Sequence, residues 1–116
     1  MTLRDLIKNE FTVFAEHMPS MDTNELSKAM LRFSSLLASL NDNIAKFEID
    51  FAEELNICLQ EEGSTVSGAK VKAQTSQVYK GLRQAKAMKE SLENMINAIK
   101  FRIRAVHDEF KEYTPK

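Results

Sequence analysis

The sequence predicts an all-α protein: a long antiparallel two-helix coiled-coil hairpin preceded by a short N-terminal helix. Three observations predict it. A heptad register runs through Leu26, Met30, Phe33, Leu37, Leu40, Ile44, Phe47 and Phe51, and again through Val78, Leu82, Ala85, Leu92, Ile96, Ile99, Ile103, Val106 and Phe110. Spacings of three and four keep apolar side chains on one stripe of a helix, and a sustained mean of 3.5 gives a left-handed supercoil. The only loop signal between the two registers is Gly63-Ser64-Thr65-Val66-Ser67-Gly68, and a short loop between long helices makes them antiparallel neighbours.

Each element has its own signals. Helix 1, about residues 2–18, starts at Thr2, whose hydroxyl caps the first turn with Asp5 three residues on, and stops before Pro19. Its apolar positions Leu3, Leu6, Ile7, Phe11, Val13 and Phe14 need burial somewhere. Helix 2, about residues 22–62, opens on the D-T-N-E run Asp22 to Glu25. Gly63 suits a left-handed C-cap and Ser67 the next N-cap, so helix 3 runs over about residues 69–113, with Pro115 marking its end. The whole chain, 1–116, reads as a single helical domain. Facing positions sum to roughly 132 in such a hairpin, setting Phe47 near Ala85, Leu40 near Leu92, Phe33 near Ile99 and Leu26 near Val106.

Composition narrows the function classes. Two Pro, three Gly, no Trp, 43% hydrophobic and 28% charged residues match a helix-rich folded protein rather than a disordered or β-rich one. No stretch is apolar enough for a membrane span, and Arg4, Asp5, Lys8 and Glu10 interrupt the first residues, so the expected location is the cytoplasm of its cell. The lone Cys58 continues the stripe from Phe51 and Leu55 and reads as a packed core thiol. P-loop, GxGxxG, GxSxG, HExxH and CxxC motifs are all missing, and His17 and His107 have no second ligand at helical spacing. No catalytic, cofactor or metal site is expected, and the chain is read as a non-enzyme.

Net charge is −1, but charge is unevenly placed. Residues 41–62 hold seven acids (Asp42, Glu48, Asp50, Glu53, Glu54, Glu61, Glu62) and the single cation Lys46; residues 63–89 hold Lys70, Lys72, Lys80, Arg83, Lys86 and Lys89 and no acid. One reading is interhelical pairing that fixes the antiparallel register. The other is a binding face. On one continuous helix Lys72, Lys80, Arg83 and Lys86 fall within about 120° of each other, roughly opposite the seam of Val78, Leu82 and Ala85. Lys100, Arg102 and Arg104 follow, with Phe101 and Tyr113 interleaved. Cations contact phosphates and an exposed aromatic stacks on a base, so Lys72, Lys80, Arg83, Lys86, Arg102 and Arg104 are the candidate single-stranded nucleic-acid contacts. Leu31, Leu36, Ile49, Met88, Met95 and Phe101 lie off the hairpin seam and predict a homo-oligomer.

Two resemblances bear on function. Gly63-Ser64-Thr65-Val66, followed by Lys72-Ala73, Ser76 and Tyr79, resembles small helical hairpin proteins of phages and prophages. Leu3-x-Asp5-Leu6, Thr75-Ser76-x-x-Tyr79-x-Gly81 and Ala98-Ile99-Lys100-x-Arg102 are similar to segments of the UvsY-type recombination mediators of phages, with a matching layout along most of the chain. That resemblance implies a homo-oligomer, ring-forming in some arrangements, that binds single-stranded DNA and helps load a recombinase onto strands covered by single-strand binding protein. One departure stands out. The mediators are basic in the later part of their long second helix, whereas Asp50 to Glu62 here is acidic, so any DNA contact must come from helix 3. The alternative is a helical protein-protein interaction module, such as a phage-encoded inhibitor of a host complex.

Overall fold

A computed structural model describes the backbone of residues 2–113 and the side chains of residues 2–108; Phe110, Tyr113 and Pro115 therefore lie outside the described side chains. The described residues form four α-helices and one 3-10 turn with no strand: α1 (Leu3–His17), the turn Met18–Ser20, α2 (Thr23–Gln60), α3 (Val66–Ala73) and α4 (Gln77–Tyr113). α2 and α4 pack against each other as a helical hairpin. Backbone contacts divide the chain into two compact units, residues 1–38 with 90–116 and residues 39–89.

The first unit is built on aromatic packing. Thr2 Oγ1 accepts from the Asp5 N–H at 3.1 Å while the Asp5 carboxylate accepts from the Thr2 N–H at 3.4 Å, a reciprocal capping box that starts α1. Pro19 closes the helix by entering the following 3-10 turn, and the Asp22 carboxylate accepts from the Glu25 N–H at 2.8 Å to start α2. α1 lies on the early part of α2: Phe14 meets Phe33 edge-on with centroids 5.3 Å apart, Phe11 lies 5.7 Å from the same ring, and Glu10 pairs with Arg32 at 3.6 Å. Ile7, Phe14, Leu26, Ala29, Phe33, Leu92, Ile96 and Ile99 are buried. Leu6 and Val13, expected to need cover, remain exposed, because the helix is narrower in its contact than its apolar arc.

In the second unit α2 ends in a tight turn. Gly63 takes φ +77°, the left-handed conformation that glycine adopts without a Cβ penalty, and the Ser64 hydroxyl donates to the Cys58 carbonyl at 2.8 Å. Cys58 is buried with Ala69 and Ala73, one turn apart on α3, and with Phe51 and Leu55 packed against them. Two small residues on one face let α3 lie close to the end of α2.

The expected helix over 69–113 is corrected in two ways. It begins earlier, at Val66, because Thr65 rather than Ser67 is the cap: Thr65 Oγ1 accepts from the Gly68 N–H at 3.0 Å. It also breaks between Ala73 and Gln77. No Gly or Pro stands there. The hydroxyls of Thr75 and Ser76 donate back to the carbonyls of Lys72 (2.7 Å) and Ala73 (2.6 Å), and Ser76 Oγ also accepts from the Tyr79 N–H at 3.2 Å. One serine thus closes α3 and caps α4, a local competition that hydroxyl side chains win over continued helix. Replacing Ser76 by Ala should cost about 0.5–2 kcal/mol in chemical denaturation, the range for a lost N-cap; an unchanged midpoint would show that the break is held by packing instead.

The heptad seam is where the spacing put it. Every described member is buried or half-buried, from Leu26 to Phe51 on α2 and from Val78 to Val106 on α4. Within the second unit the register runs antiparallel: Phe47 lies over Gly81, the Phe51 and Tyr79 rings are 5.2 Å apart, and Glu48 is 3.8 Å from Lys86.

Candidate nucleic-acid interface

The six candidate contacts do not form one row on one helix. In the second unit Lys72 belongs to α3, ahead of the break, while Lys80, Arg83 and Lys86 belong to α4. The angular relation that assumed a continuous helix therefore holds only for the last three. Lys72 Nζ donates to Glu61 Oε2, and this hydrogen bond holds the ammonium above the ordinary lysine value against an opposing desolvation, with the nearby charge of Glu61 adding to it. Lys86 flanks the α2 contact rather than standing opposite it, and reaches Glu48 at 3.8 Å. Both pairs are exposed, so each contributes little stability and is screened by salt. Their geometric role is clear all the same: they join the acidic end of α2 to the cations that follow it.

Arg83 and Lys80 point elsewhere. The Arg83 guanidinium carbon lies 6.0 Å from the centroid of the Tyr79 ring, one turn earlier on α4, at the outer limit of a cation–π contact. Lys80 is exposed beside it. Tyr79 is half-buried by Phe51, which leaves its remaining face to the arginine. The sequence held a signal for this contact in the i, i+4 spacing of Tyr79 and Arg83, and the basic residues alone did not reveal it.

In the first unit the candidates divide. Arg104 is exposed, whereas Arg102 is half-buried, with its Nε buried and without a hydrogen-bond partner. Arg102 therefore turns part of its guanidinium toward protein and is a poorer phosphate contact than its charge suggests. Phe101 is 75% exposed, the most exposed large apolar side chain among the described residues. Lys100 is its neighbour in sequence and Arg104 stands one turn on, both exposed.

The described residues include no group of three or more His, Cys, Asp or Glu side chains able to hold a metal ion, and no helix long and apolar enough to cross a membrane. A shallow recess of about 290 Å³ beside the α2–α3 turn is lined by Cys58, Glu61, Ser64, Thr65, Gly68 and Lys72. His17 and His107 are exposed. No family model matches the chain, and neither curated proteins nor solved structures give a match.

Proposed function

We propose that this chain is a non-enzymatic, oligomeric accessory protein of phage DNA recombination that holds single-stranded DNA on α4 and assists recombinase loading. The resemblance to the phage mediators supplies the setting. The observation that carries the binding role is Phe101, 75% exposed with Lys100 and Arg104 beside it: an aromatic face for a base next to cations for the flanking phosphates.

The test is a salt-titrated binding assay on single-stranded DNA. Each phosphate contact adds roughly 0.7 to the slope of log affinity against log salt, so Arg104→Glu should flatten the slope by about that amount or more. Phe101→Ala should weaken binding by about 1–3 kcal/mol at any salt, the range for a lost base stack. Helicity should be unchanged in both variants. Absence of binding even at low ionic strength removes this reading.

A second reading has its own support. The pairs Lys72–Glu61 and Lys86–Glu48 engage part of the basic block within the hairpin, as expected if those charges set the register. On that reading the chain is a helical protein-protein interaction module whose exposed apolar side chains meet another protein.

A further inference from the structure

α2 carries a second heptad stripe, on the side away from α4. Asp42, Ala45, Ile49, Ala52, Asn56 and Leu59 follow one another at spacings of three, four, three, four and three, and all six are exposed. Ile49 lies two residues from both Phe47 and Phe51, hence about 160–200° around the helix from the seam they occupy. Its 61% exposure and the 41% of Leu59 leave apolar surface on the side of α2 away from the seam. Four of the six, Ala45, Ile49, Ala52 and Leu59, are apolar, and apolar residues at a mean spacing of 3.5 are the pattern of a helix that meets a second helix.

The charges beside the stripe say which helix and in which direction. Lys46, the only cation in this acidic stretch, directly follows Ala45; Glu53 directly follows Ala52. They occupy the same flank seven residues apart, and no ion pair among the described residues uses either. Glu53 has no cation one turn away on its own helix, since positions 49, 50, 56 and 57 are Ile, Asp, Asn and Ile. Lys46 has Asp42 and Asp50 one turn away on its own helix, so Glu53 is the charge left without local compensation, and a copy of α2 laid antiparallel with its two-fold axis near residue 50 brings Lys46 to it. Ile49 then faces Ala52 of the other copy, Asn56 faces Ala45, and Lys46 of each copy stands beside Glu53 of the other, twice by symmetry. A parallel copy would instead bring Glu48 against Glu53 and stack Asp42 on Asp42.

We propose that the outer face of α2 between Asp42 and Leu59 is a self-association surface, on which a second copy of this chain docks antiparallel with Lys46 and Glu53 paired across the two-fold axis. The alanines at 45 and 52 let the two helices approach closely around Ile49. The contact is short, so the dimer is a weak, concentration-dependent one. It deepens the oligomeric part of the proposed function and needs no nucleic acid, so self-association and DNA binding are read separately.

Sedimentation equilibrium of the full chain from micromolar to millimolar concentration, without DNA, tests it, with helicity monitored by circular dichroism. The wild-type mass should rise with concentration towards a dimer. Ile49→Glu should abolish the rise. Lys46→Glu and Glu53→Lys should each weaken association by about tenfold, since each turns two attractive contacts into repulsive ones. The double reversal Lys46→Glu/Glu53→Lys should restore it, because the pair is kept with its signs exchanged. A monomer at every concentration overturns the proposal, as does retention of the dimer in Ile49→Glu. Tighter association in Glu53→Lys alone also overturns it, since that is the signature of the parallel arrangement, where Glu48 would gain a cation.

Discussion

Phe33→Ala should destabilise the protein by about 3–5 kcal/mol, the usual cost of deleting a buried aromatic ring. Phe33 has no solvent exposure and stands where α1 meets α2, with Phe14 edge-on at 5.3 Å and Phe11 tilted at 5.7 Å. Edge-to-face ring pairs contribute roughly 0.5–1.5 kcal/mol beyond the area they bury, so the truncation removes one such contact, with Phe14, and the tilted contact with Phe11 as well as the ring. Small domains have only about 5–15 kcal/mol in total, so the variant should unfold at a much lower urea concentration. Phe101→Ala is the matched control, and at 75% exposure it should change stability by no more than about 0.5 kcal/mol. Similar midpoints for the two variants would mean that α1 does not pack on α2 as described.

The long-range order of this fold was readable because it is periodic. A core residue of the hairpin repeats every 3.5 positions, so the seam from Leu26 to Phe51 and from Val78 to Val106 could be written down before any contact was known. What periodicity does not encode is where a hydroxyl competes with the backbone. Thr75 and Ser76 have no strong turn signature, yet their side chains take the carbonyls that a continuous helix would have used. The partner of α1 was equally hidden, since its apolar arc specifies burial and not a surface to be buried on; the aromatic rings of Phe11, Phe14 and Phe33 select it.

The candidate site was legible in composition and not in arrangement. A count of cations finds Lys72, Lys80, Arg83, Lys86, Arg102 and Arg104, but the break before Gln77 places Lys72 on a different helix, and Arg102 is half-buried. The segment Thr75-Ser76-x-x-Tyr79-x-Gly81, which carries the resemblance to the phage mediators, has a structural account at each of its later positions. Ser76 caps α4, Tyr79 lies between Phe51 and Arg83, and Gly81 makes room for Phe47. These are requirements of a helix junction packed on a neighbour, and they hold whether or not DNA is bound.

Gly81 offers the sharpest test of that junction. In an ordinary helix interior, glycine is about 0.8–1.0 kcal/mol worse than alanine, so propensity alone favours replacing it. Packing opposes the change. A Cβ at Gly81 would lie 2.8 Å from Phe47 Cε1 and 3.1 Å from Cζ, well inside the roughly 3.5–4.0 Å at which carbon atoms attract. Gly81→Val adds two further carbons to that clash and should cost about 1–3 kcal/mol, as overpacked positions do, despite removing a glycine. The cause can be isolated by making the same change in a Phe47→Ala background, where the ring is gone. There Gly81→Val should cost much less, giving a coupling of about 0.5–3 kcal/mol between the two positions in a double-mutant cycle. Equal costs in both backgrounds would show that something other than the Phe47 ring excludes a side chain at residue 81, and would remove the packing of Phe47 over Gly81 from the account of the second unit.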